Sequence, residues 1–179
     1  MRRPSLLWTE IPIHVVDFEG SLRTGVVEYG VATLLGGDII NTSTGLHAAR
    51  TPVPPIDSQC HGLTEKELKG LPPFESEWDH WVSLRKTGLL AAHNASVESG
   101  LLRGTWLRPP AVPSFIDSET EVAEWGSWVD TCRLARTWVP SLGDYRLQAL
   151  VSVFRLGARL DSLAAKHCPP NRRKYHCAL

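Results

Sequence analysis

The fold is indicated first by one stretch, Ile11-Pro-Ile-His-Val-Val-Asp17, which is followed directly by Phe18-Glu19. Its β-branched residues predict a buried strand. After a turn at Gly20 to Thr24, a second β-rich run covers Val26 to Leu35, and a third strand is expected near Ile39 to Thr42. Three strands joined by short turns predict an antiparallel meander.

Helices and short strands alternate further along the chain. Thr64 and Glu67 have the spacing of a capping box, which indicates the start of a short helix. Apolar residues at helical spacing predict a longer helix over Phe74 to Arg85. The apolar run from Gly88 to His93 is suited to a central parallel strand, and a helix is expected from about Ala95 to Trp106.

The remaining segments complete the predicted domain. The proline-rich stretch from Thr51 to Gly62 is expected to be a loop. Trp128 to Thr131 predicts a short strand that leads to a helix over Cys132 to Thr137, and Tyr145 to Gly157 is expected to be helical. Strands first, and then strands alternating with helices, predict a single α/β domain with a mixed sheet over residues 1–179.

Composition and charge narrow the class of protein. The chain has 179 residues, 42% of them hydrophobic, and its formal net charge is zero. These values fit one globular domain rather than a disordered chain, and they lack the basic excess of a dedicated duplex binder. Four cysteines without a C-x-x-C pair indicate a reducing, cytoplasmic location. No apolar run is long enough to span a bilayer, so no membrane partner is expected.

Two carboxylates fall together at the end of the first predicted strand. Because residues two apart on a strand point to the same face, Asp17 and Glu19 project side by side while Phe18 points the other way. Adjacent acids repel each other, and a hard cation such as Mg²⁺ or Mn²⁺ would relieve that repulsion. Taken alone, the pair is better explained as two solvated acids at a strand exit.

A second polar cluster, His93-Asn-Ala-Ser-Val-Glu98, lies where the central strand gives way to a helix. Asn94 or Ser96 can cap that helix, and Glu98 in its first turn is favoured by the helix dipole. These roles would explain the residues without any ligand. However, ligands in open α/β sheets collect at the carboxyl ends of strands, and both acidic clusters fall at such ends.

A third candidate is His176, which lies in Tyr175-His-Cys-Ala-Leu179. A histidine beside a metal site can accept a proton from water near neutral pH, although on its own it is better explained as a surface residue. The repeated pairs His167-Cys168 and His176-Cys177 raise the alternative of a zinc site. Their spacing does not match the common zinc knuckles, and no C-x-x-C accompanies them.

In order and context, these clusters resemble the motifs of the DEDDh (DnaQ-like) 3′→5′ exonucleases, the family that includes the proofreading epsilon subunit of the bacterial replicative DNA polymerase. The resemblance covers nearly the whole chain from about Ile11. Its main motifs are matched by Val15-Val-Asp-Phe-Glu19, His93-Asn-Ala-Ser-Val-Glu98 and Tyr175-His-Cys-Ala-Leu179. Secondary landmarks are matched by His61-Gly-Leu-Thr64, Val129-Asp-Thr-Cys-Arg-Leu-Ala-Arg136 and Tyr145-Arg-Leu-Gln-Ala-Leu150.

The resemblance implies an RNase H-like fold, in which helices flank a central mixed sheet whose first three strands are antiparallel. It also implies hydrolysis from the 3′ end of single-stranded DNA or RNA with two Mg²⁺ or Mn²⁺ ions in the site. Asp17 would then contact both metals, and Glu19 would hold the first metal and the terminal 3′-hydroxyl. Glu98 would support the second metal, and His176 would deprotonate the attacking water.

The same resemblance gives candidates for binding the terminal nucleotide. They are backbone groups from Phe18 through Gly20 to Ser21, together with His61 and Asn94. A DNA polymerase subunit is implied as a partner, besides the single-stranded 3′ end itself. The choice between DNA and RNA depends on contacts to the 2′-hydroxyl that a sequence does not reveal.

Two departures from the family pattern affect these expectations. Glu98 stands where the family has aspartate, which moves the carboxylate outward by about 1.5 Å and would weaken binding of the second metal. The family's last acid lies five residues after the histidine, at what would be position 181, beyond Leu179. We therefore expect a single exonuclease domain that is truncated within its C-terminal helix.

Two functions from other classes stay open. A degenerate nuclease fold that acts as a nucleic-acid-binding or scaffold module is favoured by Glu98 and the missing acid. The intact Asp17, Glu19 and His176 oppose it. A zinc-stabilised interaction domain is the other alternative, and it would contain stoichiometric zinc.

Overall fold

A five-stranded mixed sheet lies at the centre of the computed structural model, which describes residues 7–115 and 119–156. The strands of this sheet are β1 (Ile13–Ser21), β2 (Gly25–Leu35), β3 (Asp38–Leu46), β4 (Leu89–Ala92) and β7 (Trp128–Asp130). Their order across the sheet is β3-β2-β1-β4-β7. A separate two-stranded sheet consists of β5 (Val112–Pro113) and β6 (Glu121–Val122).

Helices connect and flank the sheet. The α-helices are α1 (Pro55–His61), α2 (Glu65–Leu68), α3 (Trp78–Thr87), α4 (Ser96–Thr105), α5 (Thr131–Trp138) and α6 (Leu147–Val153). Short 3₁₀ helices cover Trp8–Glu10 and Phe74–Glu77. Among the helices of the described ranges, none is long and apolar enough to cross a membrane.

The first three strands form the predicted antiparallel meander. β1 pairs with β2 from Ile13 opposite Leu34 to Ser21 opposite Gly25. The register shifts after Glu19, where Gly20 has a φ of +130° and an added Cβ would lie 2.1 Å from the Gly25 carbonyl oxygen. Only glycine fits this bulge. The sequence had suggested that the first strand ends at Asp17. It ends at Ser21, because the pairing with β2 continues to that residue.

The other two strands are parallel and much shorter. β4 pairs with β1 only over Ile13 to Val15, and β7 pairs with β4 from Leu90 opposite Trp128 to Ala92 opposite Asp130. The predicted α/β fold with a mixed sheet is therefore confirmed. Because β4 ends early, the last part of β1 extends beyond it and leaves an open edge at the carboxyl ends of the parallel strands.

The main core packs α3 and α4 against one face of the sheet. Val16 and Phe18 of β1 join Trp81 of α3 and Leu101 and Leu102 of α4 in one buried cluster. Full burial of such side chains stabilises the fold by roughly 1.5–3 kcal/mol each. Their burial fixes which side of β1 faces inward.

A second feature of this core is a group of three close-packed indoles. Trp106 lies with its ring centroid 5.6 Å from that of Trp78 and 5.6 Å from that of Trp125. The Trp125 indole also donates a hydrogen bond of 2.7 Å to the Trp106 carbonyl oxygen. We call these three residues the tryptophan cluster.

The same side of the molecule contains a buried arginine. Arg85, in the last turn of α3, is 2% exposed, and burial lowers its pKa. Its guanidinium donates to the Glu124 carbonyl oxygen at 2.7 Å and to the carbonyl oxygens of Pro110 and Val122. All three guanidinium nitrogens therefore donate to backbone carbonyl oxygens of the segment that contains β5 and β6. Through these hydrogen bonds Arg85 links that segment to α3.

Two expectations for the connecting segments were wrong. The stretch predicted as a loop, Thr51 to Gly62, contains α1, because Pro55 stands at the first helical position, where its missing N–H and fixed φ are tolerated. The last described helix begins at Leu147 rather than at Tyr145, and Arg146 is extended. The capping box at α2 is confirmed, since the Glu67 carboxylate accepts from the Thr64 backbone N–H at 2.8 Å.

A candidate active site at the open edge of the sheet

The ends of β1, β4 and β7 bring polar residues to one edge of the sheet. Asp17 lies two residues beyond the last β1 residue that pairs with β4. Asn94 follows β4 by two residues, and Asp130 is the last residue of β7. The Asn94 backbone N–H and the Asp130 Oδ1 atom are 3.4 Å apart. Three separate parts of the sequence therefore meet at this edge.

The D-x-E pair has the geometry that strand periodicity predicts. Phe18 is buried and its ring centroid lies 4.9 Å from that of Trp81, whereas Asp17 is exposed and Glu19 is half-buried. Across the strand pair, Asp17 faces Gly30, and Glu19 faces Glu28. Carboxylates directly opposite each other repel, so this end of β1 and β2 carries concentrated negative charge.

Glu98 is the electrostatic centre of the edge. It is 6% exposed, and its buried Oε2 atom has no hydrogen-bond partner among residues 7–115 and 119–156. Burial raises the pKa of Glu98 from 4.5 to about 7, a backbone hydrogen bond opposes the rise, and the nearby charges of Asp17 and Asp130 add to it. The negative charges of Asp17 and Asp130 therefore act on Glu98 across this edge.

Asp130 was missed as a member of this acidic group. In the structure Asp130 is the N-cap of α5, since its Oδ1 accepts from the Arg133 backbone N–H at 3.0 Å. Its position at the end of β7 was the available signal. A carboxylate at the end of a parallel strand next to β4 must lie at the same edge as the residues that follow β4.

The turn after β4 has a strained conformation. Asn94 has a φ of 72°, which asparagine tolerates better than most residues. Its Oδ1 accepts from the Ser96 hydroxyl at 3.1 Å, so the side chain is held at the start of α4. His93 contacts Thr131 and Tyr145 through its two ring nitrogens. The turn therefore sets the position from which α4 presents Glu98.

The residues predicted to bind the terminal nucleotide differ in which of their polar groups are accessible. Phe18 has its side chain in the core, so its backbone alone is available, and the Ser21 backbone N–H already donates to Thr24 Oγ1 at 3.0 Å. His61 is 4% exposed, and its Nδ1 accepts from the Leu63 backbone N–H at 3.1 Å. Asn94 is exposed at the edge itself. Its backbone N–H contacts Asp130, which places Asn94 at the acidic edge.

The predicted general base, His176, lies outside the described residues, and so do both His-Cys pairs of the alternative zinc site. Within the described ranges, no three His, Cys, Asp or Glu side chains are gathered closely enough to hold a metal ion. The donor chemistry of the edge nevertheless fits a hard divalent cation. The Glu98 Oε2 atom is buried without a hydrogen-bond partner in the described ranges, and Asp17 and Asp130 oppose its charge, so a divalent cation would stabilise it.

Comparison with solved structures identifies nucleases of the same fold. Exonuclease X in complex with 5′-overhanging duplex DNA is 23% identical with a TM-score of 0.57, over 80% of this chain and 73% of that one. E. coli exonuclease I in complex with a dT13 oligonucleotide is 13% identical with a TM-score of 0.60, over 80% of this chain. The zinc-bound form of E. coli exonuclease I with single-stranded DNA has the same values.

These likenesses establish the fold, which is that of the RNase H-like exonucleases, as expected. This chain spans 35% of the length of E. coli exonuclease I and 73% of exonuclease X. No protein-family model matches the sequence. No curated protein matches it either.

Proposed function

We propose that the chain is a divalent-cation-dependent 3′→5′ exonuclease that acts on single-stranded ends of DNA or RNA. One observation carries the proposal, namely the buried Glu98 carboxylate at the carboxyl edge of the sheet, whose Oε2 atom has no hydrogen-bond partner in the described part of the chain and whose ionisation is opposed by Asp17 and Asp130. A strongly perturbed carboxyl group at such an edge is characteristic of catalytic and metal-binding sites. Two nucleases of the same fold are known in complex with DNA, which supports nucleic acid as the substrate class.

Each of the candidate residues would have a separate role in the reaction. Asp17, Glu19 and Glu98 would hold divalent cations, which supply the Lewis acidity that activates water and stabilises charge on the phosphate. Asn94 lies at the same edge, where its backbone N–H contacts Asp130, and its side-chain amide could donate to the sugar or phosphate of the terminal nucleotide. The open edge of β1 past Val15 leaves backbone from Phe18 to Ser21 beside the same place. His176 would accept the proton of the water.

The proposal is tested with 5′-labelled single-stranded DNA and RNA of equal length and sequence. We expect Mn²⁺ or Mg²⁺ to produce a ladder of shortened, still-labelled fragments, because degradation from the 3′ end leaves the label in place. Asp17→Asn is the matched inactive control, since it removes one charge at nearly constant volume. The ratio of the two rates identifies the preferred sugar.

A degenerate nuclease fold that only binds nucleic acid is the competing function. It predicts retention of the labelled oligonucleotide with no fragments at any Mn²⁺ concentration, and Asp17→Asn would then change nothing. Release of mononucleotides with loss of the 5′ label first would contradict the proposed direction. The role of His176, the single-domain organisation and a polymerase partner all stay predictions, as does the cytoplasmic location.

A further inference from the structure

His93, the residue that follows β4, is held by both of its ring nitrogens. Nε2 lies 2.7 Å from the Tyr145 carbonyl oxygen, and Nδ1 lies 3.0 Å from Thr131 Oγ1. Because a carbonyl oxygen can only accept, Nε2 must carry a proton and donate it. The Thr131 hydroxyl lies between Nδ1 and the Ala92 carbonyl oxygen, which is 3.3 Å away, and its single proton can serve only one of the two. The contact with Tyr145 therefore requires a proton on Nε2, whichever group the Thr131 hydroxyl serves.

The acceptor of the Nε2–H bond is itself anchored. The Tyr145 hydroxyl donates to the Val139 carbonyl oxygen at 2.8 Å. The Arg136 guanidinium of α5 lies 4.6 Å from the centroid of the Tyr145 ring, a distance at which a cation is attracted to the ring face. The Tyr145 carbonyl is thus held at a defined position relative to α5, which gives His93 a firm point of attachment.

His93 consequently joins three elements at the acidic edge. It directly follows β4, it contacts Thr131, the first residue of α5, and it contacts Tyr145 in the loop between α5 and α6. Asn94, with its positive φ, is the next residue, and Glu98 follows in the first turn of α4. A displaced imidazole would shift the turn that sets both residues relative to Asp17.

We propose that His93 is a positioning residue, whose hydrogen bond to the Tyr145 carbonyl fixes the turn between β4 and α4 and thereby places Glu98 and Asn94. The effect on catalysis depends on the proposed function, whereas the positioning does not. Groups that orient a metal ligand without touching the metal commonly change metal affinity or activity by about 10- to 100-fold when they are removed. A histidine that merely fills space would produce no such change.

The test compares His93→Gln with His93→Asn. The glutamine amide nitrogen is four bonds from Cα, as is histidine Nε2, so His93→Gln keeps a donor for Tyr145. The asparagine amide nitrogen is one bond nearer and cannot reach. We expect Mn²⁺ affinity, measured by electron paramagnetic resonance without substrate, to fall about 10- to 100-fold in His93→Asn and to stay near the original value in His93→Gln.

Hydrogen exchange gives a second measurement on the same variants. The backbone amides of residues 94–98 should exchange faster in His93→Asn than in His93→Gln, because the turn is less firmly held. Half-buried His80, which contacts Ser43 at 3.3 Å, provides the control: His80→Asn should leave Mn²⁺ affinity and exchange of residues 94–98 unchanged. Equal behaviour of the two His93 variants would overturn the positioning role.

The unaltered protein allows a test that does not depend on any variant folding. Nitrogen-15 NMR of the imidazoles should show a proton on Nε2 of His93, and an Nε2 atom without a proton would overturn the proposal. If the unaltered protein binds no Mn²⁺ and degrades no oligonucleotide, the proposed function fails. The proton on Nε2 and the exchange rates of residues 94–98 would still decide the positioning role.

Discussion

Two buried charged residues, Arg85 and Glu98, lie in contrasting surroundings. Arg85 donates to three backbone carbonyl oxygens, those of Pro110, Val122 and Glu124. The Glu98 Oε2 atom has no hydrogen-bond partner among the residues that the structure describes. Hydrogen-bond acceptors surround the charge of Arg85, whereas burial and two nearby carboxylates oppose the charge of Glu98.

Burial of a charged side chain does not by itself indicate function. The hydrogen bonds of Arg85 account for its burial, because they link α3 to the segment that contains β5 and β6. Burial and the negative charges of Asp17 and Asp130 destabilise the ionised form of Glu98. A divalent cation bound at this edge, as proposed above, would stabilise that form.

The largest expected effect concerns the stability contributed by Arg85. Replacing it by leucine leaves three buried carbonyl oxygens without donors, which should reduce the free energy of unfolding by about 3–5 kcal/mol. Urea denaturation of Arg85→Leu and of the exposed-site control Arg103→Leu measures this difference. The control should change by less than about 0.5 kcal/mol. Equal stability of the two variants would contradict a structural role for the Arg85 hydrogen bonds.

The next effect is on catalysis and should be confined to the acidic edge. Glu98→Gln keeps the shape of the side chain but loses the charge that attracts cations. We expect its Mn²⁺-dependent hydrolysis to fall at least about 100-fold, equivalent to about 2.7 kcal/mol in activation free energy. Glu65→Gln on exposed α2 is the matched control. Undiminished hydrolysis by Glu98→Gln would remove Glu98 from the proposed site.

A smaller effect should appear in stability as a function of pH without divalent ions. Because the pKa of Glu98 is about 7 in the folded protein against an ordinary 4.5, the folded state binds its proton more tightly than the unfolded state. Stability should therefore fall as the pH rises from about 4.5 to 7, by about 1–2 kcal/mol after allowance for solvent screening. Denaturation midpoints between pH 4 and 8 in the presence of a chelator measure the fall.

Glu98→Gln provides the control for this pH dependence. It should lack the decline and should be more stable than the unaltered protein at pH 8. Added Mn²⁺ should restore stability to the unaltered protein alone. A parallel decline in both proteins would assign the pH dependence to another group.

The smallest effect tests the substitution of glutamate for the family's aspartate. Glu98→Asp should increase the rate at limiting Mg²⁺ several-fold, about 1 kcal/mol, because the shorter carboxylate suits the strict geometry of Mg²⁺ better. The gain should shrink at saturating Mn²⁺, which tolerates a looser site. Titration of the rate against each metal measures the difference. An unchanged rate at limiting Mg²⁺ would contradict the expected weakness of the second metal site.

The sequence predicted the parts of this molecule that depend on local patterns. Period-two alternation placed Asp17 and Glu19 on one face of β1 and Phe18 on the other, and the structure shows that arrangement. Glycine and β-branched residues predicted the meander in the same way. The position of Glu98 just after the predicted central strand placed it at the carboxyl edge of the sheet, where the structure has it.

The features that the sequence did not reveal depend on contacts between distant segments. Asp130 has a complete local explanation as a helix cap, so its closeness to Glu98 follows only from β7 lying beside β4. The three acceptors of Arg85 come from a segment 25 to 39 residues away along the chain. The burial of Glu98, which raises its pKa, likewise arises from the packing of α4.

The tryptophan cluster gives the molecule an optical signal that is specific to one region. Indoles whose centroids are 5.6 Å apart are close enough for their strong electronic transitions to couple, and such coupling appears as a pair of bands of opposite sign in far-ultraviolet circular dichroism. Trp125 also lies 5.8 Å from the Arg85 guanidinium. These bands should weaken when Trp125 moves away with the β5–β6 segment and should be unaffected by changes at Glu98, so they report on that segment independently of the acidic edge.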